Sequence, residues 1–235
     1  MVALDKLRVT CKMIFMGYEL MSGIKAAPPA FDLCGGHPVL DFVNSLDKRF
    51  DKDGPVDLLL DYTDVLRFTA QTRLLGQRHG QLLARSVTAG AAAGALRSAR
   101  ELREALAALF YGNLDGRPPA ASVLRALERH FHAAERHREL RWRPPLPDTT
   151  GFTGIAWQWD RFAGSAALPV WILSQAASQL LLSDETQRVR ACGAQTCRWL
   201  FLDTSKNHTR RWCNMKVCGN RMKARRFQQA HRAYA

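Results

Sequence analysis

The sequence is short of three things, and each shortage narrows what the chain can do. It has no uninterrupted apolar run near the roughly 18 to 20 residues of a membrane span, so a soluble protein with no membrane partner is expected. It has no Gly-rich phosphate loop, no Gly-x-Ser-x-Gly elbow and no His-Glu-x-x-His pair. With no visible constellation of nucleophile, acid and base, an enzyme is not expected. The third shortage is local: residues 186–235 hold one acidic residue, Asp203, against twelve Lys and Arg, whereas residues 1–185 hold 22 basic and 20 acidic residues. Eleven of the thirteen net positive charges therefore sit in the last fifty residues. That density is the footprint of a surface that meets phosphate.

The same stretch is rich in cysteine. Cys192-Gly-Ala-Gln-Thr-Cys197 is followed, fifteen residues later, by Cys213-Asn-Met-Lys-Val-Cys218. Each pair encloses four residues, enough for a tight loop to aim two thiolates at one point, and Zn²⁺ takes four sulfurs in a tetrahedron at about 2.3 Å. One zinc ion on Cys192, Cys197, Cys213 and Cys218 is the expectation. With all four positions sulfur, none is open to water or substrate, so the ion would be structural and its binding coupled to folding. Two disulfides or four unrelated buried thiols are the competing readings. Disulfides need an oxidising compartment, and residues 1–30 offer only the apolar run Met13 to Met16, too short for a signal peptide. That segment, with Cys11, is expected to be a poorly ordered extension, with Met16 or Met21 as alternative starts and the cytoplasm as location.

Between these ends the pattern is helical. Val39, Phe42, Val43 and Leu46 recur at helical spacing after the turn Gly35-Gly36-His37-Pro38. A second helix should run from Thr63, as N-cap, to a stop at Gly76. A short piece near Gln81 to Ser86, an Ala/Gly run from Ala89 to Ala95 and a helix through Leu96, Leu102, Leu106 and Phe110 follow, ending at Gly112-Asn113. Pro118-Pro119 opens a helix with Leu124, Leu127, Phe131 and Ala134 as its buried stripe, and Pro169 starts another that ends at Ser183-Asp184. Ile155-Ala-Trp157-Gln-Trp159 alternates as a strand should, so a hairpin is expected from residues 140–143 and 154–159. Trp142, Trp157, Trp159 and Trp171 read as core aromatics, and His130, His132 and His137 lack the spacing of a metal site. Cys34 and His37 read as a buried thiol and a turn residue.

Within the cysteine module, Trp199 to Leu202 should form a strand, Asp203-Thr-Ser-Lys-Asn207 a turn, and Thr209 to Trp212 the returning arm of a hairpin. From Asn214 onward the residues suit a helix carrying Lys216, Arg221, Lys223, Arg225, Arg226 and Arg232, with Arg210 and Arg211 nearby. Arg and Lys on such a helix can contact phosphates or guanine edges. The fold class is therefore α+β, mainly α: residues 1–30 an extension, 31–185 a helical domain with a small β-hairpin, and 186–235 a treble-clef-like four-cysteine finger with a basic C-terminal helix.

These residues carry a resemblance. Trp199-Leu-Phe-Leu-Asp-Thr-Ser-Lys-Asn207, Arg210-Arg-Trp-Cys-Asn-Met215 and the intact Cys218-Gly219-Asn220-Arg221 resemble the CGNR zinc-finger family of bacterial proteins. Gly35-Gly-His-Pro38 and Leu40-Asp-Phe-Val-Asn-Ser-Leu46 resemble the start of the ABATE domain, which accompanies this finger in stress-induced transcription regulators. The resemblance implies zinc on the four cysteines, DNA binding by the finger, and a sensing or ligand-binding role for residues 31–185. The leading expectation is a DNA-binding transcription regulator with duplex DNA as partner, an unidentified small effector on the helical domain, and a second copy of the chain as a candidate partner. A module for RNA or a ribonucleoprotein, favoured if Trp199, Trp212 or Phe227 stands exposed for stacking, and a zinc-thiolate redox sensor are the alternatives.

Overall fold

The computed structural model describes residues 29–142 and 154–232, the last of these by its backbone alone. The expected extension lies outside the described residues except for Pro29 and Ala30. Among the described residues seven α-helices dominate: α1 Pro38–Asn44, α2 Tyr62–Gln71, α3 Gln77–Ser86, α4 Ala89–Leu114, α5 Ala121–Arg136, α6 Leu168–Leu181 and α7 Asn220–Arg232. Three antiparallel strand pairs complete the fold, β1 Leu46–Asp47 with β2 Val56–Asp57, β3 Glu139–Trp142 with β4 Ile155–Gln158, and β5 Val189–Ala191 with β6 Leu200–Leu202. The class is α+β and mainly α, as expected. No helix among the described residues is long and apolar enough to cross a membrane.

The first helix shows how the local sequence sets its geometry. Gly36 adopts φ +73°, a left-handed turn that favours glycine. His37 then caps α1, its Nδ1 accepting the Val39 N–H at 3.2 Å, and Pro38 occupies the first turn where no N–H is needed. The Asp41 carboxylate accepts the Gly35 N–H at 2.6 Å, and a Cβ on Gly35 would lie 2.7 Å from that same oxygen. Val39, Leu40, Phe42 and Val43 are consequently aimed into the core, where they meet Phe68, Leu102, Leu106, Leu173 and Leu180.

Several boundaries differ from expectation, each for a visible reason. Asp61, not Thr63, caps α2: its carboxylate accepts the Asp64 N–H at 3.1 Å while Asp64 accepts the Asp61 N–H at 3.3 Å, a reciprocal box closed to Thr63 because the residue three places on is Leu66. The helix stops at Gln71, and Gly76 instead precedes α3. The Ala/Gly run is the first turns of α4, started by Thr88, whose hydroxyl accepts the Ala91 N–H at 3.3 Å. On α5 the buried face is Leu127, His130 and Ala134; Leu124 stands half exposed. The 139–142/155–158 hairpin is present, but its register pairs Leu140 with Trp157 and Trp142 with Ile155 on an exposed face, so these two tryptophans are not core. Trp159 and Trp171 do stack, with His137 lying 3.9 Å from the Trp171 ring.

The cysteine module shares the core of the helices. Val189, Leu200 and Leu202 belong to the same buried cluster as Phe42 and Leu173. Asn44, itself buried, donates its side-chain N–H to the Leu200 carbonyl at 2.9 Å and accepts the Leu200 N–H on its Oδ1 at 2.8 Å, so one side-chain amide mimics a neighbouring strand. The Leu202 N–H donates to the Gly35 carbonyl at 2.7 Å, and the Tyr111 hydroxyl donates to the Arg198 carbonyl at 3.0 Å. Close by, the buried Arg103 forks onto Asp57 at 2.6 and 2.9 Å and reaches the Ser45 hydroxyl at 3.2 Å, pinning the β1–β2 pair.

These contacts make two outcomes measurable. Asn44→Ala leaves two backbone groups of Leu200 unpaired in the interior and should cost about 2 to 4 kcal/mol. Chemical denaturation, followed by probes on both segments, should show one transition shifted as a unit; separate transitions for the module and the helices would contradict the shared core. The second concerns Asp41, whose carboxyl is pushed up to about 7, chiefly by burial and against the help of the Gly35 N–H. A value above the ordinary 3.8 means that protonation favours the folded state, so this contribution is complete below that value and is lost as pH rises through about 7. Asp41→Asn keeps an acceptor for Gly35 and removes the charge. Its stability relative to the parent should rise between pH 5 and pH 8, and a pH-independent difference in denaturation midpoints would sink the assignment.

Candidate metal centre and nucleic-acid interface

The four cysteine sulfurs lie within 4.8 Å of one another. Cys197 and Cys213 are 3.6 Å apart and Cys213 and Cys218 3.7 Å, against an edge of about 3.8 Å for a tetrahedron of sulfurs at about 2.3 Å from zinc. Cys192, Cys213 and Cys218 are buried and Cys197 half buried. Sulfurs this close cannot all carry charge without a cation: thiol donors from Cys197 and Cys213 pull the Cys192 thiol down, and the same contact with Cys192 pushes Cys213 up. All-sulfur donors at tetrahedral spacing fit Zn²⁺, and no bond among them is a disulfide.

Each pair is held by its own local device. Cys192 and Cys197 are the two ends of a knuckle whose flanks are β5 and β6, with Cys192 N–H bonded to the Trp199 carbonyl at 2.8 Å. The hairpin therefore pairs residues 189–191 with 200–202; the expected return arm Thr209 to Trp212 forms no strand, because β6 has β5 on one edge and Asn44 and Gly35 on the other. Past β6, the buried carboxylate of Asp203 accepts from the Ser205 N–H at 3.0 Å, the Ser205 hydroxyl at 2.6 Å and the Arg210 N–H at 3.0 Å, folding the turn back toward Cys213. Asn214 caps the next turn, its Oδ1 accepting the Lys216 N–H at 2.9 Å and the Val217 N–H at 3.3 Å. That turn, Met215–Gly219, is wide and of π-type geometry, and it carries Cys218 into α7.

The tetrapeptide at 218–221 has a role for each residue. Cys218 supplies a sulfur. Gly219 lies under the Met215 side chain and beside Trp212, where an added Cβ would sit 2.4 Å from the Met215 sulfur and 3.2 Å from the indole. Asn220 donates to the Lys216 carbonyl at 3.1 Å, closing the wide turn, and Arg221 reaches the Cys218 sulfur at 3.5 Å while remaining exposed. The turn at Asp203 and the helical start at Asn214 were legible as local signals; the bonds by which Asp203 reaches Arg210 and Asn220 reaches Lys216 were not.

The basic residues divide by environment. Arg211, Lys216, Arg221, Lys223, Arg225 and Arg226 are exposed, and every described side chain from Lys223 to His231 on α7 is exposed as well. Arg210, expected to join them, is tied inward instead: its guanidinium donates to the Trp212 carbonyl at 2.9 Å, to Leu202 and Cys34 carbonyls at 3.4 and 3.3 Å and to the Cys213 carbonyl, and it lies over the Phe201 ring. These bonds make it a brace inside the module and set it apart from the exposed cations. The side chain of Arg232 lies outside the described residues. Trp199 donates to Asp47 at 2.8 Å and Trp212 is half buried, which leaves Phe227 as the exposed ring of the three. Cys34, near the cluster, is outside the four-sulfur group; its thiol donates to Asp32 at 2.6 Å and is pushed up to about 12, by burial first and then by Asp32. The three histidines do not converge either: His130 packs near Glu101 and His137 on Trp171.

With this geometry in place, comparison with protein-family models gives two matches. Residues 188–231 match the CGNR zinc finger, and residues 36–185 match ABATE, described as "putative stress-induced transcription regulator". No curated protein matches the chain closely enough to serve as a relative. The ABATE match covers more than half of the sequence, and the chain belongs to that family, with a CGNR zinc finger following its ABATE domain.

Proposed function

We propose that the protein is a zinc-dependent, DNA-binding transcription regulator of the bacterial cytoplasm, responsive to stress, and not an enzyme. The observation that carries this reading is the continuity from Cys218 into α7: one end of the helix is fixed at the four-sulfur cluster, and the rest presents Lys223, Arg225 and Arg226 to solvent. One zinc ion held by Cys192, Cys197, Cys213 and Cys218 would supply the positive charge that lets four thiolates coexist. The chain's own residues do the rest. Asn214 and Asn220 shape the turn, Gly219 makes room for Met215 and Trp212, and Arg210 ties the second cysteine pair to Cys34 at the foot of the helical domain. Exposed Arg and Lys then neutralise phosphates, and release of counterions makes the affinity fall with salt.

RNA is the second reading, and the 64 % exposure of Phe227 is the feature that favours it. The engagement of Trp199 with Asp47 and the partial burial of Trp212 weigh toward the duplex.

Two experiments test the proposal. Purified protein should contain about one zinc per chain, and Cys218→Ser or chelation should release it and unfold the module, seen as loss of the Trp199 and Trp212 fluorescence signature; full retention of fold after complete metal removal would refute the zinc assignment. Metal-loaded protein should bind duplex DNA at about 50 mM salt with a log–log salt slope of about −5, the value for one phosphate neutralised by each of Arg211, Lys216, Arg221, Lys223, Arg225 and Arg226. Arg225→Ala with Arg226→Ala should flatten that slope by about 2, whereas Arg210→Ala should lower stability instead. Absence of duplex binding at low salt, or stronger competition by single-stranded RNA, would overturn the DNA reading.

A further inference from the structure

The helices leave a groove that the cysteine module does not use. Between α4, α5 and α6 lies a cleft of about 480 Å³, a size within the range of small-molecule sites. Its floor is formed by Phe110, Leu127, Phe131 and Leu181, and its lips by Leu124 and Leu182, which are 49 % and 87 % exposed. Leu124 sits at a stripe position of α5 yet stands half exposed where it borders the cleft. Pro119, in the connection from α4 to α5, bounds the groove at one place, and Thr186, in the turn that leads into β5, bounds it at another. Its walls thus reach the segment that enters the metal centre.

Charge decides what could lie there. Although the chain carries a net charge of +13, no Lys or Arg lines this cleft, and Glu128 is its one carboxylate. An anion would meet that carboxylate without a compensating cation, and a cation would have to shed its water against an apolar floor. Asn113, His132 and Ser178 provide polar atoms at the rim, suited to orienting one uncharged head while the body of a ligand covers the leucines. We propose that this cleft binds a neutral, mostly apolar small molecule with one hydrogen-bonding head such as a hydroxyl, ketone or amide. The assignment rests on the helical domain alone and not on what α7 binds.

The neutral dye N-phenyl-1-naphthylamine, titrated into the full-length protein, is the test. Its fluorescence should rise to saturation with one site per chain. Leu124→Glu and Leu182→Glu place a charge at the lips, where the new side chain can reach water and the core is untouched, and each should weaken dye binding by about tenfold or more. Leu82→Glu, on an exposed face of α3, should leave binding unchanged. Unsaturable binding, or equal affinity in all three variants, overturns the proposal. So does a parent chain that sediments as a dimer and becomes monomeric with Leu124→Glu, because a second copy would then be the occupant. No nucleic acid enters these measurements, so their failure leaves the DNA reading standing, and the converse holds.

Discussion

The two edges of β6 carry the architecture. One edge pairs with β5, as in any hairpin; the other is completed by the amide of Asn44 and the carbonyl of Gly35, both from the segment around α1. A three-residue strand with an open edge would be a marginal structure, and here every inward backbone group has a partner. The consequence reaches both ways. The first cysteine pair hangs from this hairpin, so the four-sulfur cluster takes its orientation from α1, and α1 in turn takes its own from the Gly35-Gly36-His37-Pro38 turn that Asp41 closes. The family signature near the N-terminus and the one near the C-terminus are therefore two halves of one junction.

That junction explains where sequence reading succeeded and where it stopped. Helix existence was legible because apolar residues at a period of 3.6 mark a buried face wherever the partner lies, and the hairpin at 139–158 was legible from alternation alone. The four sulfurs were legible because their spacing encodes a local loop. What was not legible depends on contacts distant in the chain. Asn44 reads as an ordinary polar end of a helix until Leu200 is placed beside it, 156 residues away. The expected strand at 209–212 fails for the same reason, since the edge it would have used is already taken. Leu124 was assigned to a buried stripe by period, and nothing in the period says that a cleft opens beside it.

The basic module shows a related limit. Counting charge over residues 186–235 weights each Lys and Arg equally, yet they do different work. Arg210 gives its donors to backbone carbonyls of the module, Arg190 bonds the Gln187 and Val189 carbonyls, and Arg198 stands near Asp115 and over Phe50. These residues hold the fold, and their replacement acts through stability. The exposed set on and around α7 has no comparable internal ties, apart from the reach of Arg221 to Cys218 and of Arg211 over Trp212. Position relative to backbone carbonyls, which composition cannot report, separates structural cations from those available to a polyanion.

Arg221 occupies the boundary between the two groups, touching the four-sulfur cluster on one side and solvent on the other. Its guanidinium approaches a sulfur of the cluster while its side chain remains open to solvent. A thiolate that shares negative charge with an arginine is a weaker donor to a metal, whereas a phosphate that recruits the same arginine returns electron density to the sulfur. Were the cluster to hold a divalent cation, four thiolates around it would carry a net charge of about −2, and this arginine would offset the repulsion between that centre and a polyanion bound as proposed. A lysine could supply the charge but not a planar fork able to face sulfur and phosphate together. The last residue of the Cys218-Gly219-Asn220-Arg221 motif is thus suited to joining the cluster to the surface it supports.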